Sequence, residues 1–175
     1  MFSRPFAVIV LVLSAIGLYA CDSVDLGKSL TVVDTFSGYY DDGVVSEGRP
    51  QAGWNRILPS LTFKLRNDGT KEISSIQLTV SFWQDGDDGE KDSAEVRGVG
   101  PEGLKPGATT EAITVRPPVI GINQEGRRAD IFQHSQFRDW TIKVFAKHGG
   151  NIVRLGEFKV DRRLIPHIPT SAGRP

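Results

Sequence analysis

The chain has 175 residues with 21 basic and 21 acidic side chains, so its formal net charge is zero. That length allows one domain with a sizeable hydrophobic core, and the lack of a clustered Lys/Arg excess argues against a nucleic-acid partner. Glycine and proline are frequent, at 19 and 10 residues, which favours short strands and turns over a helical bundle.

The N-terminal segment, residues 1–20, is typical of an export signal. Arg4 precedes a mostly apolar run from Phe6 to Ala20. The length of this run lies between the roughly 7–15 residues of a signal h-region and the about 20 residues of a membrane-spanning helix. The run ends in Leu18-Tyr19-Ala20-Cys21, which resembles a lipobox, the signal-peptidase II site of bacterial lipoproteins. We therefore predict cleavage before Cys21 and an exported mature chain.

Cys21 is the only cysteine, so it has no intramolecular disulfide partner. A thiol at this position is the nucleophile that accepts a diacylglyceryl group, and a multiply acylated terminus stays in the bilayer. We expect a covalent lipid on Cys21, no other cofactor, and a lipid-anchored chain in the cell envelope that faces the periplasm or the exterior. The alternatives are an uncleaved anchor helix and an ordinary secretory signal. Asp22 resembles an inner-membrane retention signal, but the choice between inner and outer membrane depends on the organism.

The mature chain divides into three predicted parts. Residues 21–28 form a short tether, residues 29–165 a β-domain, and residues 166–175 a proline-bearing tail that is extended or disordered. Within the domain, Leu30–Phe36 reads as a first strand. The stretch Asp41–Gly53 is rich in Asp, Gly, Ser and Glu and predicts a loop.

The clearest alternation of apolar and polar residues lies in residues 61–66 and 76–83. Each segment predicts a strand with one face toward the core and one toward water. Between them, Asn67-Asp68-Gly69-Thr70 predicts a turn, because Asn, Asp and Gly tolerate positive φ. We therefore expect these two strands to pair as antiparallel neighbours.

The second half of the domain continues the strand pattern with one interruption. Residues 93–99 and 110–116 predict strands, separated by a turn at 104–107 and followed by Pro117-Pro118. Residues 119–138 break the pattern and predict a short helix near 128–137 or an irregular excursion. Residues 140–147 and 152–160 flank His148-Gly149-Gly150-Asn151 and predict a closing hairpin. Six to eight short strands with frequent turns favour an all-β, antiparallel β-sandwich.

A family resemblance covers about a third of the chain, from Pro59 to Arg116. The residues that carry it are 65–69 (LRNDG), 76–86 (IQLTVSFWQDG) and 104–107 (LKPG). With these motifs the chain resembles the FxLYD-type immunoglobulin-like domains of bacterial envelope lipoproteins. The resemblance implies an immunoglobulin-like sandwich and an envelope setting, and it implies no catalytic residues. The acidic loop after Trp83 and the 119–138 excursion are both longer than the family pattern.

The acidic loop after Trp83 is the strongest metal candidate. Flexible carboxylates are the ligands that Ca²⁺ prefers, and the loop supplies four of them: Asp85, Asp87, Asp88 and Glu90. The EF-hand spacing fails, however, because the positions counted back from Gly89 fall on one aspartate, a glycine and a glutamine. The alternative is a solvated hairpin loop in which Asp and Gly serve the turn.

No arrangement in the sequence predicts catalysis. The three histidines, His134, His148 and His167, lack the close spacing of a zinc site. No Gly-x-Ser-x-Gly element occurs, and no glycine-rich phosphate loop follows a strand and opens a helix. We therefore predict that the protein is not an enzyme.

Aromatic residues outside the predicted core are the best candidates for binding. Trp83 falls on the outward phase of its strand, and Tyr39, Tyr40 and Trp54 lie in or near the 41–53 loop. Such rings can stack on sugars or anchor a protein partner, unless a loop covers them. The expected function is a non-catalytic protein-interaction or structural module, as in an accessory subunit of a membrane complex, with a protein partner in the envelope. The alternative is a carbohydrate- or Ca²⁺-binding module.

Overall fold

The structure is a computed structural model that describes residues 24–45, 53–125 and 128–166. The predicted signal peptide, Cys21 and His167 lie outside the described residues. The strands are β1 (Leu30–Val44), β2 (Asn55–Asn67), β3 (Ile76–Gln84), β4 (Glu90–Val99), β5 (Ile113–Val115), β6 (Ile122–Gln124), β7 (Trp140–His148), β8 (Asn151–Lys159) and β9 (Leu164–Ile165). The helices are α1 (Leu26–Ser29) and a 3₁₀ helix (Arg128–Gln133).

These strands form two sheets packed face to face. In the first sheet the strand order is β5-β2-β1-β9, with β6 also paired to β2, and in the second it is β4-β3-β7-β8. All the paired strands are antiparallel except β1 and β9, which run parallel. Alternating apolar residues of both sheets fill the space between them, as in other sandwiches. The predicted all-β sandwich is confirmed.

The predicted pairing of residues 61–66 with 76–83 is wrong. These segments belong to β2 and β3, which lie in different sheets. Leu61 of β2 pairs with Ser37 of β1, whereas Val80 of β3 pairs with Val144 of β7. Alternation reports which face of a strand is buried, and in a sandwich the inward faces of both sheets are apolar. The pattern therefore could not tell a hairpin from two strands that face each other across the core.

The connection between β2 and β3 depends on side-chain hydrogen bonds. The 67–70 turn was predicted from residues that tolerate positive φ, but none of these four residues has a positive φ. Asn67 is fully buried, and its Nδ2 donates to the carbonyls of Lys71 (2.8 Å) and Leu104 (2.7 Å). Its Oδ1 accepts from the Gly69 amide at 2.9 Å. One amide thereby satisfies three backbone groups where the chain crosses between the sheets.

Several predicted boundaries change. β1 continues through Val44 into the predicted 41–53 loop, because Val44 still pairs with Asn55. The predicted 110–116 strand shortens to Ile113–Val115. The 119–138 excursion contains β6 and the 3₁₀ helix, so the short helix predicted near residues 128–137 is present over Arg128–Gln133. The closing hairpin is confirmed as β7 and β8, which pair from His148 and Asn151 onward.

The predicted tether at residues 21–28 overlaps the folded domain. Leu26 of α1 is only 3% exposed and belongs to the core, and Val24 packs against that core. The side chain of Asp25 caps α1 by accepting from the Gly27 amide at 3.1 Å. The folded domain therefore begins by residue 24, so residues 24–28 of the predicted tether belong to the domain.

The sandwich has two distinct ends. The helix pole comprises α1, the 68–75 and 100–107 connections and the β7–β8 turn at 149–150; Asp68 donates its amide to the Ser29 carbonyl there at 2.8 Å. The cavity pole comprises the β3–β4 turn at 85–89, β6, the 3₁₀ helix and the start of β7. β1 joins the two poles with 15 residues, which span at most about 50 Å at about 3.3 Å per residue. Within the described ranges, no helix is long and apolar enough to cross a membrane.

Candidate functional site

A cavity of about 240 Å³ lies at the cavity pole, where four separate segments converge. Trp54 is the residue immediately before β2, and Gln84 is the last residue of β3. Asn123 lies in β6, and Gln136 and Arg138 lie between the 3₁₀ helix and β7. The remaining lining residues are Ile122, Glu125, His134 and Phe137. The site therefore joins Trp54, predicted as a binding residue, to polar residues that the sequence did not single out.

Asp92 fixes the segment that leads into β6. Its Oδ2 accepts the amides of Val119 and Ile120, each at 2.9 Å, across the gap between the two sheets. Arg56 donates to the Val119 carbonyl at 3.1 Å from the other side. A Cβ on Gly121 would lie 2.7 Å from Leu58 Cδ2 and 2.8 Å from Arg56 Nε, so a larger residue here would require these two side chains of β2 to move. These contacts hold one wall of the cavity.

A cluster of three rings supports the opposite wall. Tyr39 packs against Phe132 and Phe137, with ring centroids 5.2 and 5.3 Å away, and these two phenylalanines are 5.3 Å apart. Tyr39 is 0% exposed, so its predicted role as an exposed binding aromatic is wrong. The residue lies inside β1, where its phase points to the core. Burial raises the pKa of the Tyr39 phenol, and the nearby Asp139 carboxylate raises it further.

Arg162 ties the chain after β8 to this cluster. Its guanidinium donates from Nε and Nη2 to the two carboxylate oxygens of Asp139, both at 2.7 Å. It also donates to the Phe132 carbonyl at 3.3 Å. The hydrogen bonds from Arg162 hold the pKa of Asp139 below its usual range, so the carboxylate stays ionised at neutral pH.

Trp83 and Tyr40 are half-buried, and each ring has a cation of the same chain over it. Lys143 Nζ lies 3.7 Å from the Trp83 ring centroid, and the Trp83 indole donates to Ser81 Oγ at 2.8 Å. The Arg116 guanidinium lies 3.4 Å from the Tyr40 centroid. A ring face under such a cation is closed to a stacking ligand until the cation moves. Trp54 differs, because among the described residues no cation or second ring packs on it.

The acidic loop is held by ion pairs. Asp87 contacts Lys91 Nζ at 2.8 Å and Arg138 Nη1 at 3.0 Å, and the hydrogen bond from Lys91 lowers the pKa of Asp87. Asp85 accepts from Thr141 Oγ1 at 3.2 Å. Asp88 and Glu90 are exposed. In the described part of the chain, no three His, Cys, Asp or Glu side chains converge as a metal site, so the Ca²⁺ prediction gains no geometric support.

The two histidines inside the described residues lie far apart. His134 lines the cavity, where its Nδ1 accepts a hydrogen bond from the backbone N–H of Gln136 at 3.2 Å. His148 ends β7 at the helix pole. A more open groove of about 570 Å³ follows β3 and β4 toward the helix pole. Its Gln77 and Glu95 are hydrogen bonded to each other at 2.8 Å, so these polar groups are already used.

Comparison with known proteins gives only distant similarity. No family model and no curated protein matches the chain. Two structures of Bacteroides uniformis β-glucuronidase, one covalently bound to cyclophellitol-6-carboxylate aziridine, share 13% identity and a TM-score of 0.41 over 75% of this chain. The chain spans about 12% of their length. An Arabidopsis thaliana protein studied in solution shares 12% identity and a TM-score of 0.37, over 82% of this chain and 85% of its own.

Proposed function

We propose that the protein is an exported lipoprotein, acylated on Cys21, whose β-sandwich serves as a non-catalytic binding module. The helix pole would lie against the membrane, and the cavity pole would meet a protein partner or ligand in the envelope. The observation that carries the proposal is the position of α1. Leu26 is built into the core at the helix pole, five residues after Cys21.

The covalent length of the chain supports this orientation. Only Asp22 and Ser23 separate Cys21 from the described fold, and three peptide units span at most about 11 Å. An acyl anchor on Cys21 would therefore keep the helix pole close to the bilayer. The cavity pole lies at the other end of β1 and would be presented away from the membrane.

Acylation is tested by metabolic labelling with palmitate followed by membrane fractionation. We expect the wild-type chain to carry label and to remain in the membrane fraction after a carbonate wash. Cys21→Ser should lose the label and, once its signal is processed, leave that fraction, whereas the nearby variant Ser23→Ala should behave like the wild type. A labelled Cys21→Ser chain, or a Cys21→Ser chain that stays in the washed membranes after its signal has been removed, would contradict the proposal.

The orientation is tested with a photoreactive residue at one of two matched positions. Ile152 at the helix pole is 66% exposed, and Val119 at the cavity pole is 74% exposed. We expect the probe at 152 to crosslink to lipid and the probe at 119 to crosslink to a protein or to remain unreacted. Lipid crosslinks from 119 but not from 152 would show the reverse orientation.

A further inference from the structure

We propose that the cavity at the cavity pole binds one neutral sugar unit of an envelope glycan. The inference rests on the proposed function, because it names the ligand of that binding module. The volume of about 240 Å³ is below the roughly 300 Å³ at which pockets for drug-sized ligands begin. It therefore suits a single ring rather than a longer segment.

The polar walls of the cavity favour a ligand with several hydroxyl groups. Gln84, Asn123 and Gln136 place three side-chain amides around it. Each amide both donates and accepts, as a sugar hydroxyl does. In the described part of the chain, the side chains of Gln84 and Gln136 form no hydrogen bond. The amide of Asn67, by contrast, is fully used inside the fold.

The charges at the cavity favour a neutral ligand. One acid and one base line it, Glu125 and Arg138. The Arg138 guanidinium already contacts Asp87 at 3.0 Å outside the cavity wall. An anion would therefore find a cation that is partly neutralised, and a cation would find a single exposed carboxylate. Neither has the convergent opposite charges that desolvation of an ion requires.

Trp54 gives the cavity an apolar surface. The residue is half-buried, and Phe137 and Ile122 line the same space. A pyranose ring has a face of C–H groups that packs on an aromatic ring while its hydroxyls reach polar neighbours. A half-buried tryptophan beside unused amides offers both kinds of contact.

The test uses the indole N–H signals of the full-length ¹⁵N-labelled chain. The chain has three tryptophans, at positions 54, 83 and 140, and Trp54→Phe identifies the Trp54 signal. The chain is held in a zwitterionic detergent without a sugar headgroup, and it is titrated with glucose, galactose, mannose and N-acetylglucosamine. We expect at least one of these sugars to shift the Trp54 signal while the Trp83 and Trp140 signals stay in place.

Matched variants locate the site. We expect Gln136→Ala and Gln84→Ala each to weaken binding about fivefold, the value of one neutral hydrogen bond. Gln133→Ala removes an exposed amide from the adjacent 3₁₀ helix, outside the cavity lining, and should leave the affinity unchanged. The far-ultraviolet circular dichroism and melting temperature of each variant show whether it is folded.

Three results would overturn the inference. The first is the absence of any shift of the Trp54 signal with all four sugars up to 100-fold excess over protein. The second is equal binding by the Gln136→Ala and Gln133→Ala variants. The third is a shift by acetate or a short peptide that no sugar reproduces. None of these results bears on palmitate labelling of Cys21, so the lipoprotein proposal would stand or fall separately.

Discussion

The two poles of the sandwich use the same polar side chains in different ways. At the helix pole, Asn67 is buried and its amide satisfies three backbone groups. At the cavity pole, the side-chain amides of Gln84 and Gln136 line open space and form no hydrogen bond within the described part of the chain. The role of an amide is thus decided by whether neighbouring backbone groups lack partners. The helix pole uses its amide for folding, whereas the cavity pole leaves the side-chain amides of Gln84 and Gln136 open to the ligand that we propose.

Ion pairs differ from the amides, because they are used inside the fold at both poles. Arg66 and Asp68 at the helix pole are two residues apart and bond to each other at 2.6 Å, and the Asp68 carboxylate also accepts a hydrogen bond from Thr31. Arg162 at the cavity pole binds Asp139 and the Phe132 carbonyl, so it joins the chain after β8 to the excursion. The Arg162 bonds therefore join two irregular segments at the cavity pole, as the Asn67 amide joins two connections at the helix pole.

The largest effect is expected for Tyr39→Ala. This change removes the buried ring that packs on Phe132 and Phe137, and large-to-small substitutions of this type cost about 4 kcal/mol. Chemical denaturation measures the free energy of unfolding. The matched variant Tyr40→Ala removes a half-buried ring under Arg116 and should cost about 1 kcal/mol. Equal losses for the two variants would show that Tyr39 does not anchor the excursion.

The next largest effect is expected at the helix pole, for Asn67→Ala. The change leaves the Lys71 and Leu104 carbonyls and the Gly69 amide without their side-chain partner. Buried polar groups that lose their partners cost about 1–3 kcal/mol each, partly recovered by water, so we expect a total near 3 kcal/mol by denaturation. Gln77→Ala, which removes an exposed amide bonded to Glu95, is the control and should change stability by less than about 0.5 kcal/mol. A loss below 1 kcal/mol for Asn67→Ala would mean that the connection is held by other contacts.

The sequence predicts the fold class well because alternation and turn residues depend on local physics. It predicts the β7–β8 hairpin for the same reason, since the two strands are separated by a short glycine turn. It does not predict that β2 and β3 lie in different sheets, because either pairing buries the same apolar faces. The connection between the two sheets depends on the hydrogen bond from Asn67 to the Leu104 carbonyl. These residues are far apart in the sequence, so no local pattern predicts their contact.

The candidate site was predictable only in part. Trp54 is apparent as an aromatic beside a loop, but Gln84 and Gln136 have no sequence neighbourhood that marks them. They meet because β3 ends where the chain returns from the 3₁₀ helix. The exposure of Trp83 was overestimated, since strand phase gives the direction of a side chain and not the cation that covers it. Tyr40 was placed beside a loop, whereas it lies inside β1 under Arg116. Proximity across 50 residues of chain is a property of the fold.

A smaller effect is expected from acid titration of the Arg162–Asp139 pair. Because the hydrogen bonds from Arg162 lower the pKa of Asp139, the pair stabilises the fold above the unfolded pKa near 4, and this contribution is lost as the pH falls through the lower folded pKa. Asp139→Asn should therefore flatten the decline of stability below about pH 4. The side chains are half-exposed, so the contribution should be below about 1 kcal/mol and weaken with salt. Denaturation series from pH 2 to 7 measure it, and an unchanged acid slope would contradict it.

The smallest effect concerns the cation over Trp83, and it separates a covered ring from an open one. Lys143→Gln removes the ammonium 3.7 Å from the ring centroid, and a partly exposed pair of this kind is worth about 0.5–1 kcal/mol. In a Trp54→Phe background, Trp83 is the one half-buried tryptophan that remains, since Trp140 is 2% exposed. Acrylamide quenching of the fluorescence should then increase when Lys143 is replaced. The control Lys147→Gln, four residues further along β7 on the same face, should leave the quenching unchanged. If quenching with Lys143 in place is as strong as in the Lys143→Gln variant, the Trp83 ring is open as well. The cavity pole then offers two aromatic surfaces to a ligand rather than the single surface of Trp54.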